Sequence, residues 1–433
     1  MMPKKMTRRD FVATGTAAGA AMLSGCAGAD PLPIPMVHTS PQDSTLQIAL
    51  VGCGGRGTGA AENCLNSSEN VQLVAMGDMF PDRLNGARKS LSNTKGYKVT
   101  DENCFTGLDA YKKVLQSSAE LVLFATPPGF RPTHFEAAIE AGKHVFLEKP
   151  VGVDPTGVRK VIEVGKKAQE KKLGVLSGTQ YRHQVSFIET VKRIHDGMIG
   201  DLLGGRAYYN TGTLWNRERQ PGQSDVEWQL RNWIYFDYLS GDHIVEQHIH
   251  TIDATDWVMG GHPVKAVATG GRQVRVEEAF GNIYDHFTVD YEYKGGRHVM
   301  SMARQMANVA NYVGATFIGT KGEADLYTAT IRDLEGKVLW KTPEKPNIAK
   351  AYIQEHADLI NSIRNGTPIN ESKRVAESTL TAILGREAAY TGLVVDFDEL
   401  LGSDLDLAPE GGMGKLALGP NPVRPVPLPG KVR

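Results

Sequence analysis

The sequence predicts an α/β protein in two parts, a doubly wound parallel sheet on the N-terminal side and then an α+β domain built on a large, mostly antiparallel sheet. Three observations carry this reading. An apolar run enters a glycine-rich turn at residue 52, strand-like and helix-like segments alternate from there to Ser177, and beyond Gln180 the pattern breaks into short alternating runs. The 433 residues, 41% hydrophobic and 22% charged with a formal net charge of -1, suffice for two domains and contain no basic tract of the kind nucleic acid requires.

Leu46-Gln47-Ile48-Ala49-Leu50-Val51 reads as a buried parallel strand, and Gly52-Cys53-Gly54-Gly55-Arg56-Gly57 supplies a G-x-G-x-x-G turn directly after it. Gly52 permits the tight turn, Gly54 lets backbone approach a pyrophosphate, and Gly57 lets a helix from about Thr58 to Leu65 pack on the strand. Phosphates would lie at the N-terminus of that helix, where unpaired N–H groups and the positive dipole end favour an anion. Val71-Gln72-Leu73-Val74-Ala75-Met76 forms the second strand. Asp78 follows about 20 residues after Gly57, where a carboxylate binds a ribose 2′-hydroxyl and repels a 2′-phosphate. The order therefore predicts a Rossmann domain that takes NAD rather than NADP. The competing reading of Asp78 is a strand-end residue capping a local turn.

The alternation continues through a strand at Leu121 to Ala125, a helix from Thr133 to Ala141, a strand at His144 to Leu147, a helix from Thr156 to Lys172 and a strand from Gly174 to Ser177. Beyond Gln180, Gly205 to Tyr209, Val264 to Gly270, His286 to Tyr293, His298 to Met302 and Ala315 to Gly319 look like strands of a sheet with one solvated or ligand-facing side. One strong helix is expected over Asp242 to Met259 and a helical region over Ile353 to Thr391. These patterns place a first domain at 45–180 and a second at 181–403. The Pro/Gly-rich tail, 404–433, is expected to be an arm on a neighbouring molecule or disordered. Cys53, Cys64 and Cys104 show no pairing pattern.

Thr126-Pro127-Pro128 and Glu148-Lys149-Pro150 end adjacent strands at the carboxyl edge, where ligands bind in such sheets. A cis peptide before Pro150 would turn Lys149 into the cleft, where its ammonium could support deprotonation of a hydroxyl while hydride leaves the carbon. The alternative is a surface Lys149 paired with Glu148.

The glycine turn, the run from Thr126 through His134 to Pro150 and the Glu246 to Asp253 segment together resemble the Gfo/Idh/MocA oxidoreductases across nearly all of Leu46 to Asp398. The resemblance implies an open-faced second sheet, a sugar or polyol substrate, and association as a homodimer or homotetramer. It also implies a catalytic Lys149 and a catalytic His250. Where family members usually carry Asp four residues before that histidine, Glu246 stands here, on the same helical face by its i,i+4 spacing. The NAD-contacting set becomes Gly52, Gly54, Gly55, Arg56, Gly57, Asp78, Thr126, Pro127, His134, Glu148 and Lys149. Tyr181, Arg182 and His183 resemble the segment that lines the cleft. Trp215, Trp228, Arg231, Asn232 and Trp233 offer aromatic faces and polar edges to a carbohydrate, although aromatic residues are more often core. No metal is expected; the alternative is a site on His243, Glu246 and His250.

Ahead of the first strand, Arg8-Arg9, an Ala/Gly-rich stretch too short for a bilayer of about 30 Å, and Leu23-Ser24-Gly25-Cys26 resemble a twin-arginine export signal ending in a lipoprotein box. Residues 1–26 would be the signal, with Cys26 lipidated, and 27–44 a tether. Export across the membrane in the folded state implies a periplasmic protein whose NAD stays bound and is reset in place. Two chemistries meet that condition, a sugar oxidoreductase and an NAD-dependent glycosidase working by oxidation and elimination; a third reading, from another class, is a cofactor-stabilised sugar-binding lipoprotein without turnover.

Overall fold

The computed structural model describes residues 44–431, so the expected signal, Cys26 and nearly all of the tether lie outside the described residues. β1 (Leu46–Val51) is buried at every position except Gln47, as a strand covered on both faces must be. It is central in a six-stranded parallel sheet with β2 (Val71–Asp78), β3 (Cys104–Thr106), β4 (Leu121–Phe124), β5 (His144–Leu147) and β6 (Val175–Ser177), in the order β3-β2-β1-β4-β5-β6. The order reverses between β1 and β4, which opens a crevice at their carboxyl ends. Helices Gly55–Ser67, Arg131–Glu140 and Pro155–Glu170 follow their strands as expected. The last starts at Asp154, whose carboxylate accepts the Gly157 N–H at 2.6 Å.

The second sheet has nine strands: β7 (Leu202–Thr211), β8 (Lys265–Gly271), β9 (His286–Tyr293), β10 (Arg297–Gln305), β11 (Tyr312–Gly319), β12 (Gly322–Asp325), β13 (Thr330–Asp333), β14 (Val338–Lys341) and β15 (Val395–Asp396). Their order is β14-β13-β12-β11-β7-β10-β9-β8-β15, antiparallel throughout except for β7 beside β10. β12, β13 and β14 have four residues each, too few for a period of two to stand out in the sequence. β9 alternates strictly, with Phe287, Val289, Tyr291 and Tyr293 buried. The opposite face shows Val267, Met300 and Ile318 to solvent.

Three expectations are corrected. The helical region 353–391 is two helices, Ile348–Arg364 and Ser372–Thr391, separated where Gly366 takes φ +70 and Pro368 follows. The first of them returns to the N-terminal domain and buries Leu359 and Ile360 against Ile48 and Leu50, so the core of the parallel sheet reaches beyond residue 180. The described part of the tail is ordered on its own chain. Leu407 and Met413 are buried, the Leu407 N–H donates to Asp154 at 2.9 Å, and the Tyr284 hydroxyl donates to the Pro427 carbonyl at 2.9 Å. Its few apolar side chains find a crevice in their own chain.

A buried ionic cluster joins the two parts. The Asp253 carboxylate accepts from Arg182 at 2.7 Å, Arg374 at 2.8 Å and Ser378 at 2.7 Å. Burial alone would raise its pKa, but the two guanidinium groups outweigh that and hold it at about 2, below the usual 3.8. A carboxylate depressed in this way contributes stability that is complete above pH 3.8 and is lost as pH falls toward 2. Replacing Asp253 with Asn leaves the buried Arg182 without its anion and Arg374 with Glu371 alone, and urea unfolding should show a loss of about 3–5 kcal/mol at neutral pH. Asp253→Asn should also be less sensitive than the wild type to acid over that same interval.

Candidate active site

The glycine turn follows β1 in a conformation few residues adopt. Gly52 has φ +95, and a Cβ on Gly57 would lie 1.8 Å from the Gly52 carbonyl oxygen, so strand and helix meet backbone to backbone. At Gly54 and Gly55 a Cβ would meet nothing within 4 Å. That open space borders the start of helix Gly55–Ser67, which has no side-chain cap and no acidic residue in its first turn. An uncapped helix N-terminus beside a cradle without side chains fits a pyrophosphate. Asp78 accepts the Cys53 N–H at 2.6 Å and the Phe80 N–H at 2.8 Å while lining the same 540 Å³ cavity. It caps the turn, and each oxygen keeps a second lone pair for a ribose hydroxyl. Burial raises its pKa against those two donors.

Thr126 and Pro127 line the cavity, with His134 beneath them, its Nδ1 3.1 Å from Thr126 Oγ1 and its ring stacked on Phe130. Burial, with Arg131 nearby, takes its pKa down to about 3, so it is a neutral support. Arg56 pairs with Glu148 at 2.8 Å and lies 4.5 Å over the Tyr352 ring. This pair ties the phosphate turn to the strand end that carries Lys149. Glu148 is therefore committed to Arg56, not to Lys149.

The Lys149–Pro150 peptide is cis, as expected. The Lys149 ammonium donates to Glu246 Oε1 at 3.0 Å and to the Glu246 main-chain carbonyl. His250 presents its ring to Tyr181, 5.8 Å away edge-on, and to Tyr209, 6.4 Å away and stacked. Burial first, then the charge of Lys149, pushes the His250 pKa well below 6.5, and its Nδ1 has no partner among the described residues. Lys149, Glu246 and His250 thus gather at one place, although they lie outside the lining of the large cavity.

The route to that gathering differs from the one expected. Asp242 to Met259 is not one helix but two, His243–Glu246 and Ile249–Met259. Asp242 takes φ +75, its buried carboxylate accepting the Tyr284 N–H at 2.8 Å and the Tyr390 hydroxyl. His248 is also buried, 2.6 Å from Ser301 Oγ, and its N–H reaches back to the His243 carbonyl in a widened turn. These two anchors break the helix, so helical spacing is not what relates Glu246 to His250. The break also removes the metal alternative. His243 packs on Phe287 and Glu246 faces Lys149, and among the described residues no three His, Cys, Asp or Glu side chains converge.

Substrate expectations are redistributed. Tyr181 reaches His250, but Arg182 is committed to Asp253, and His183 to Asp358 at 2.5 Å. Trp228 is core, 3% exposed, its indole N–H given to the Arg217 carbonyl at 2.9 Å. Asn232 is buried and donates to the Ala279 carbonyl at 2.5 Å. Arg231, Trp233 and Trp215 line the cavity of the glycine turn, away from Lys149. Tyr209 and Tyr352 were not anticipated; no motif marks them, since β7 and helix Ile348–Arg364 bring them in from distant segments.

A dinucleotide cradle at a sheet switch point, faced by a lysine and a neutral histidine from two domains, defines a nicotinamide-dependent dehydrogenase. The chain belongs to the Gfo/Idh/MocA family: residues 46–176 match its oxidoreductase model with NAD-binding Rossmann fold, and residues 187–325 match its C-terminal domain. An inositol 2-dehydrogenase/D-chiro-inositol 3-dehydrogenase of Lactiplantibacillus plantarum is 25% identical over 81% of this chain and 91% of its own. A glycosyl hydrolase family 109 protein of Shewanella amazonensis is 26% identical over 48% of this chain and 47% of its own. The Lactobacillus casei scyllo-inositol dehydrogenase structure with NAD(H) and scyllo-inositol superposes with TM-score 0.63 at 22% identity, covering 82% of this chain and 99% of that one.

Two glycine substitutions separate cradle from packing. Gly57→Ala should lower both thermal stability, by about 1–3 kcal/mol, and NAD affinity, because backbone must move. Gly54→Ala should leave the melting temperature in place and weaken NAD binding in calorimetry, its methyl group standing where a pyrophosphate approaches.

Proposed function

We propose that the protein oxidises a CH–OH group of a sugar or cyclic polyol with a resident NAD. The observation that carries the reading is the Lys149 ammonium held by Glu246 near a neutral His250. The inositol dehydrogenases among its relatives support the substrate class. The glycine turn, Asp78 and Thr126 would hold NAD, which would supply the hydride acceptor for the substrate carbon. Lys149 donates a hydrogen bond to the substrate oxygen and stabilises charge developing there. His250, kept neutral, accepts the hydroxyl proton. Glu246 aims Lys149 and neutralises its charge when the site is empty.

The test is to denature purified protein, assay released NAD by mass, and follow the reduced-nicotinamide band and products on adding inositols and glycosides. A keto product is expected, with kcat/KM lowered about 10²–10⁴-fold by Lys149→Ala or His250→Asn. Because His250 titrates well below 6.5, the wild-type kcat/KM should stay level as pH falls through 6.5. The second reading, glycoside cleavage by oxidation and elimination, is favoured by the Shewanella relative and is recognised by cleavage without net NAD reduction. Sugar binding without turnover, alike in wild type and Lys149→Ala, would instead identify a binding lipoprotein.

We also propose export through the Arg8-Arg9 signal, lipidation at Cys26, and self-association through the face carrying Val267, Met300 and Ile318. Cell fractionation should place the wild type in the membrane fraction of the periplasm and Cys26→Ser in its soluble fraction, with the latter a dimer or tetramer in sedimentation. A wild-type protein confined to the cytosol, or a monomeric Cys26→Ser, would remove the corresponding part.

A further inference from the structure

The cofactor groove has a second wall that the parallel sheet does not supply. Opposite the glycine turn, the cavity is bounded by Trp215, Arg217, Arg231 and Trp233, all from the second domain. Arg231 fastens this wall to the first domain. Its two terminal nitrogens donate to the Asp82 carboxylate at 3.1 and 3.2 Å, and its guanidinium lies 3.9 Å over the Phe80 ring. Phe80 and Asp82 come just after β2, the edge of the sheet where the adenosine half of a dinucleotide lies.

Beneath this contact one apolar cluster contains Phe80 and Phe130 of the first domain, Trp228 and Phe236 of the second, and Leu407 and Met413 of the tail. The tail continues to helix Asp225–Arg231 and binds it. The Asn421 N–H donates to Asp225 at 2.9 Å, and Asn421 exchanges bonds with Gln229 at 2.6 and 2.7 Å. Three separate segments of chain therefore converge on the groove, and opening it would require breaking an ion pair, a cation–π contact and a shared core together. The chemistry of the wall matches one end of the cofactor. Trp215 and Trp233 meet edge to face at 6.5 Å and offer indole surface to a base, while Arg217 adds a guanidinium to a cavity that already contains a helix N-terminus.

We propose that residues 215–233 form a clasp over the adenosine diphosphate half of NAD, with Trp215 and Trp233 against the nucleoside and Arg217 toward the phosphates, held shut by Arg231, Asp82 and the tail. This deepens the reading of a resident NAD and rests on it: the clasp is what keeps the cofactor from leaving between turnovers. Trp215, Arg231 and Trp233 thereby become cofactor residues rather than carbohydrate residues, and Arg217 joins them.

The experiment measures release of labelled NAD from the full chain into an excess of unlabelled NAD, for wild type, Arg231→Gln and Trp215→Ala, with thermal melts of the cofactor-free proteins as a folding control. Trp215 is 45% exposed, so its removal tests the clasp without opening a core. Both variants should release NAD at least about tenfold faster, and Arg231→Lys should fall between them and wild type. Release within about twofold of wild type in both variants overturns the clasp. The two readings fail separately. Wild type purified with NAD, and variants that hold it equally well, would remove the clasp alone. Wild type purified free of NAD, with variants that still release added NAD tenfold faster, would keep the clasp and remove the resident cofactor.

Discussion

The contact between Lys149 and Glu246 is the constraint on which the site depends, because it joins the turn after β5 to the start of the segment that carries His250. Both side chains are nearly buried, 10% and 13% exposed. In such surroundings a charge-assisted hydrogen bond is strong, but taking two charges out of water costs several kcal/mol, so the pair contributes geometry more than stability. That balance suits the role proposed for Lys149. The ammonium is held in one place, yet part of its hydrogen bonding can pass to a substrate oxygen without stranding a buried charge, because Glu246 and its own carbonyl remain beside it.

Burial shifts several histidines and aspartates around this contact, and the neighbours decide the outcome. His134 and His248 are both driven to about 3 and serve as neutral packing and hydrogen-bonding groups. His250 is depressed by the same cause with the charge of Lys149 added, which favours its neutral form. Asp242 rises to about 6 because hydroxyl and N–H donors only partly offset its burial, whereas Asp253, facing two arginines, falls to about 2. The break in the helix lies between these two aspartates, Asp242 capping the first piece and Asp253 inside the second.

The chain crosses between its two domains repeatedly. Helix Ile348–Arg364 fills the core of the first sheet and brings Tyr352 under Arg56, while the tail runs back across the same domain and ties down the helix that carries Arg231. Two units connected in this way share an apolar core, and motions that would separate them must expose it.

The glycine turn, the alternating strands and helices of the first domain and the cis bond before Pro150 were legible in the sequence, because each depends on residues close together in the chain. A glycine at a backbone contact, a period of two or 3.6, and a motif at a strand end are local facts. Tertiary structure decided the rest. It broke the helix at His248, committed Arg182 and His183 to carboxylates, buried Trp228 and drew Tyr209 and Tyr352 into the site. It also moved Arg231 and Trp233 from the expected sugar pocket to the cofactor groove. Sequence patterns tell which residues seek burial or a charged partner, but which partner each one finds depends on the three-dimensional packing of segments hundreds of residues apart.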